Sequence, residues 1–121
     1  MSVSVNQRRT PLYDRHVAAR ARMVPFGGFE MPVQYAGVLK EHDAVRRRAG
    51  LFDLSHMGQF VLRGAGVGPS ADALTVNHVA TMRPGQARYN LFCNEHGGAH
   101  DDVIFYRLGD DEWLLVVNAS N

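Results

Sequence analysis

The sequence predicts an α+β fold, with helices packed on an antiparallel sheet that ends in a three-stranded meander, and three observations predict it. Helical patterns come first, at Thr10-Pro11 and from Val38 onward. Alternation of apolar and polar residues dominates the last third, from Arg88 to Asn118. Nowhere do strand and helix patterns alternate in the regular manner of a doubly wound parallel sheet.

Thr10-Pro11 reads as an N-cap hydroxyl followed by proline at the first helical position, with a helix running to about Arg20 and Leu12, His16 and Val17 on one face. Pro25, Gly27-Gly28 and Pro32 then break Met23 to Tyr35 into short extended pieces. A second helix fits Val38 to Ala49, its apolar stripe formed by Val38, Leu39, His42, Val45 and Ala49, and Gly50 is expected to end it in a left-handed cap. Arg46-Arg47-Arg48 complement the negative end of that helix and face water; an anion site is the alternative reading of the same three charges.

Leu51 to Leu54 and Gln59 to Arg63 read as strands, Gly64-Ala65-Gly66-Val67-Gly68 as a turn, and Pro69 to Leu74 as a short helix. The glycine patch lacks the Lys and Ser/Thr of a phosphate-cradling loop. Arg88 to Cys93, Asp102 to Leu108 and Trp113 to Asn118 are three consecutive strands, separated by the turns around Gly97-Gly98 and Gly109-Asp110-Asp111.

Composition narrows the function. The 121 residues are 45% hydrophobic and 21% charged, the balance of one compact folded domain. A formal net charge of +1 provides no global field for nucleic acid or an anionic membrane. No apolar run approaches the roughly 20 residues that cross a bilayer, and Met1 to Thr10 is polar, so a cytoplasmic protein is expected. The single cysteine, Cys93, fits a reducing compartment, and its apolar surroundings favour a packed thiol over a nucleophile.

Chemistry concentrates near Asp101-Asp102. Strand alternation puts Asp102 on the side of Ile104 and Tyr106, and Asp101 on the side of Val103, Phe105 and Arg107. Asp102 is either a turn-closing acid after Gly97-Gly98 or a carboxylate that holds a ligand on a partly apolar face. In the last strand Asn118 stands on the side of Leu114 and Val116, as a strand-end turn former or as a hydrogen bonder to a ligand. His96 and His100 with the aspartates could supply metal ligands, but the spacing matches no zinc pattern, and no metal is expected. Ser55-His56 lacks the elbow glycines of a hydrolase nucleophile.

Several segments, taken in order, resemble the T-protein family, the folate-dependent aminomethyltransferases of the glycine cleavage system. They are Thr10-Pro11-Leu12-Tyr13, Met23 to Pro32, Gly50 to Gly58, Gly97-Gly98 leading to Asp101-Asp102, and Val116-Val117-Asn118-Ala119. The resemblance implies transfer of the aminomethyl group on the lipoyl arm of H-protein to tetrahydrofolate, with release of ammonia. It implies Asp102 as the essential acid and Met57, Tyr89, Ile104, Tyr106 and Asn118 as residues of the pterin pocket. It also implies that residues 10–121 form the N-terminal part of the folate-binding domain, behind a flexible tail at residues 1–9, in a family whose members continue well past Asn121. Surfaces left uncovered by such a truncation predict self-association.

Two other readings follow from the same resemblance. One is a noncatalytic folate-binding or assembly-factor relative, or an inactive fragment. The other is a demethylating oxidase, disfavoured because the match begins at Thr10 with no room for a flavin module. Where the family has two aliphatic residues before its aspartates, this sequence has Ala99-His100, and alternation puts His100 on the Asp102 side, where a protonated imidazole would favour the ionised acid.

Overall fold

The computed structural model describes residues 7–121. Their contacts divide into two compact units, one running to His56 and one from Met57 to Ala119 with Asn121. Of the tail expected at residues 1–9, the first six lie outside the described residues. Arg8 and Arg9 form a short strand rather than free chain.

In the first unit that strand, β1 (Arg8–Arg9), is followed by α1 (Tyr13–Ala18), β2 (Arg22–Phe26), β3 (Phe29–Gln34) and α2 (Val38–Arg47). β2 and β3 make an antiparallel hairpin through Gly27 and Gly28, whose φ angles of 55° and 80° suit a residue without a Cβ. β1 adds in parallel to β3, fixed by the Arg9–Glu30 ion pair at 2.8 Å and by the Arg8 guanidinium stacked 4.2 Å from the Phe29 ring.

Three expectations fail in this unit. Thr10 does not cap α1, whose N-cap is Leu12; its hydroxyl instead donates 3.0 Å to Asp53, a buried carboxylate that outcompetes a helix terminus. α2 stops at Arg47, Arg48 leaves the helical region at φ −138°, and Gly50 is not among the positive-φ glycines, so there is no left-handed cap. The apolar stripe of α2 stays open, with Leu39 85% exposed. Leu51 to Leu54 is not a strand. Asp53 Oδ1 accepts from the Ser55 amide at 2.9 Å and from its hydroxyl at 2.5 Å, and this local turn replaces strand pairing.

The second unit contains β4 (Gly58–Arg63), α3 (Val67–Leu74), β5 (Ala87–Cys93), β6 (Ala99–Gly109) and β7 (Glu112–Val117). The strands form one antiparallel sheet in the order β4-β7-β6-β5, which contains the expected meander. The glycine patch turns at Gly64 and is already helical at Val67, two residues before the expected Pro69.

One face of the sheet carries the core: Val103, Phe105, Trp113 and Leu115 pack with Ala71, Val79 and Met82. Phe105 is 1% exposed, a burial that contributes about 2–3 kcal/mol. Gly68 lets α3 approach closely, since a Cβ there would meet Ala80 Cα at 2.9 Å. Asn90, fully buried, closes the connection to β5 by bonding Asn77 and Thr75.

Candidate functional site

The register of the second unit assembles the site. On β6, Asp102, Ile104 and Tyr106 stand opposite Leu91, Tyr89 and Ala87 of β5. Ile104 and Tyr106 also stand opposite Val116 and Leu114 of β7. Cross-strand partners share a face, so Asp102, Tyr89, Ile104 and Tyr106 lie together on the face opposite the buried Val103 and Phe105. Asn118 follows β7 by one residue and reaches the same cluster. Met57 precedes β4, at the end where Gly58 pairs with Val117.

Asp102 is exposed but held. Its Oδ1 accepts from Asn118 Nδ2 at 2.8 Å, and its Oδ2 lies at a long 3.3 Å from the Tyr89 hydroxyl. Partial desolvation, with the Asp102 charge and hydrogen bond added, pushes the Tyr89 phenol above its ordinary pKa. Asn118 Nδ2 also donates to Asp101 Oδ1 at 2.7 Å. Burial would raise the Asp101 pKa, but the amides of Asn118 and Asn121 outweigh it and lower the pKa, which favours the ionised form.

His100 does not support Asp102 as alternation suggested. Cys93 pairs with Ala99 and Phe92 with Asp101, so His100 is the extra residue of a β-bulge. No hydrogen bond or ion pair joins it to Asp102 among the described residues. Among the same residues no three His, Cys, Asp or Glu side chains converge as metal ligands.

The arrangement is an open, mixed surface with a fixed carboxylate, an amide and a phenol at one end and the apolar Ile104 and the Tyr106 ring beside them. It can stack a flat ring and hydrogen-bond its polar edge. Two concave pockets among the described residues lie elsewhere. One of about 360 Å³ runs under α3 among Leu62, Val67, Leu74 and Phe92. Another of about 350 Å³ opens in the first unit beside Met31, Tyr35, Val45 and Phe52.

A second polar cluster, in the first unit, was not visible in the sequence. Asp53 Oδ2 lies 2.8 Å from His16 Nε2, and His16 Nδ1 lies 2.7 Å from the Tyr35 hydroxyl. Burial pushes the Asp53 pKa up, but bonds from Ser55, His16 and Thr10 pull it far below the usual carboxylate range. Asp53 thus joins Thr10, His16 and Ser55 in one hydrogen-bonded cluster. Asp53-Leu54-Ser55 does carry an Asx-turn signal; the partners at Thr10 and His16 carry none.

Residues 12–121 match the family described as GCVT N-terminal domain. The chain is 53% identical over 114 residues to an aminomethyltransferase of Deinococcus deserti, covering 94% of this chain and 32% of the relative. It is 46% identical over 114 residues to an aminomethyltransferase of Thermus thermophilus, covering 94% and 33%. Among solved structures it is similar to the glycine cleavage system aminomethyltransferase T from Bartonella henselae, with a TM-score of 0.91 and 38% identity over 96% of this chain and 32% of that one. The chain thus spans about a third of the length of these relatives.

Proposed function

The chain belongs to the GCVT N-terminal domain family, and from that premise we propose that it forms the tetrahydrofolate-facing part of a glycine cleavage aminomethyltransferase. The reaction moves the methylene of the aminomethyl group on the lipoyl arm of H-protein to tetrahydrofolate. The carbon–sulfur and carbon–nitrogen bonds of that group break, two carbon–nitrogen bonds form on the folate, and ammonia and dihydrolipoyl H-protein leave. The lone Cys93 fits a reducing, cytoplasmic setting for this chemistry.

One observation carries the reading: strand register places Asp102, Tyr89, Ile104 and Tyr106 on a single face, with Asn118 fixing the Asp102 carboxylate. In this reading Ile104, Tyr106 and Met57 bound the apolar surface for the pterin. Asp102 sits at the reacting edge near N10, where its charge stabilises the cation that develops as ammonia departs. It holds the folate in line with the incoming carbon and makes no covalent bond.

The test is ammonia release and methylenetetrahydrofolate formation by the protein, supplied with aminomethylated H-protein and tetrahydrofolate. Asp102→Asn is expected to keep the fold and lower turnover by about a hundredfold or more, the effect of losing one preorganised charge. Undiminished turnover would remove Asp102 from the mechanism.

A further inference from the structure

Asn118 is gripped by both aspartates. Its Nδ2 lies 2.7 Å from Asp101 Oδ1, 2.8 Å from Asp102 Oδ1 and 3.0 Å from the Asp102 carbonyl oxygen. Asn121 Nδ2 adds a further donor to Asp101 Oδ1 at 2.7 Å. Adjacent strand residues normally point to opposite faces, but Asn118 lies just past the end of β7, and its amide is within reach of both carboxylates.

A primary amide has two N–H hydrogens and one carbonyl oxygen. Turning the Asn118 amide over would set its carbonyl against two carboxylate oxygens, exchanging charge-assisted bonds for repulsion. One orientation therefore prevails. Both hydrogens are committed to acceptors, and no described residue donates to Asn118 Oδ1.

We infer that Asp101 is a positioning residue that locks the Asn118 amide with its carbonyl oxygen presented as an acceptor beside Asp102, so that the face selects a ring edge bearing N–H donors. The inference rests on the folate reading, since a reduced pterin offers such an edge. Asp101 itself stays half-buried, paired across the sheet with Phe92, and acts through Asn118. The lowered pKa of Asp101 agrees, because only the ionised acid is a pure acceptor.

The experiment has two arms on the same protein. In the first, tetrahydrofolate is titrated calorimetrically into the wild type, Asp101→Asn, Asn118→Ala and the double variant. Asp101→Asn is expected to weaken binding about tenfold, and to change it less than about twofold once Asn118 is alanine, the signature of action through one partner. Losses that simply add, or a single variant that binds as the wild type does, overturn the inference.

In the second arm, NMR of the ligand-free protein follows the side-chain amide of Asn118. The wild type is expected to show two distinct, slowly exchanging protons that become an ordinary solvent-exposed amide in Asp101→Asn, while the backbone resonances of β5 to β7 report an intact sheet. A freely exchanging amide in the wild type overturns the lock. A wild type with a locked amide that binds no tetrahydrofolate overturns the folate reading, and the ligand selectivity with it, and leaves the lock standing.

Discussion

Asp53 and His16 meet across 37 positions of sequence, Oδ2 to Nε2 at 2.8 Å, with side chains only 4% and 9% exposed. The pair ties the segment after α2 back to α1. Thr10 and Ser55 complete the shell around the carboxylate.

The depressed Asp53 pKa sets the sign of an acid effect. An unfolded aspartate titrates near pH 3.9, and the folded one well below it, so the stabilisation is full above about pH 4 and drains away as the pH falls toward the folded value. Urea unfolding at neutral pH and at about pH 3 should show this loss. Asp53→Ala should cost about 3 kcal/mol at neutral pH and flatten the acid dependence. An unchanged acid slope in the variant would mean that Asp53 does not anchor this unit.

Asn90 is expected to be as costly in the second unit. Its Oδ1 accepts from the Asn77 amide at 2.9 Å, and its Nδ2 donates to Thr75 Oγ1 at 2.9 Å and to the Asn77 carbonyl at 2.8 Å. Asn90→Ala strands these groups out of water and should lower the urea-unfolding free energy by about 3 kcal/mol. A loss under about 1 kcal/mol would show that water replaces the side chain.

Gly68→Ala tests the approach of α3 to the Ala80 backbone. The added methyl overlaps a backbone atom that has no rotamer to change, so a loss of about 1–3 kcal/mol and a lower Tm are expected. A neutral result would show that α3 shifts freely.

Tyr89→Phe should matter much less than the loss of Asp102. The phenol lies 3.3 Å from Asp102 Oδ2 and the ring is 56% exposed, so removing the hydroxyl should weaken tetrahydrofolate binding by less than about threefold. A loss of binding of about tenfold or more would give the phenol a direct role with substrate.

The meander and the placement of Asp102 were legible because period-two alternation is a local signal: Val103, Ile104, Phe105 and Tyr106 sort themselves between two faces without knowledge of anything distant. The contacts that fix each unit are long-range or irregular. Thr10 satisfies every local rule for a helix cap, yet a carboxylate 43 positions away takes its hydroxyl. Leu51 to Leu54 has strand-like composition, and the Asp53 turn cancels it. Alternation gives His100 to Asp102, and a one-residue bulge at His100 undoes it; Asn118 meets both aspartates just past the end of β7, where no strand pattern applies. Pairing of the two-residue strand at Arg8–Arg9 is likewise beyond any local pattern.

A crystal structure of the protein with tetrahydrofolate bound measures most directly whether the Asp102 face of the sheet is the folate site. The pterin should lie against Ile104 and Tyr106, with a polar atom within hydrogen-bonding reach of the Asp102 carboxylate. A pterin bound elsewhere, with Asp102 still facing water, would contradict it.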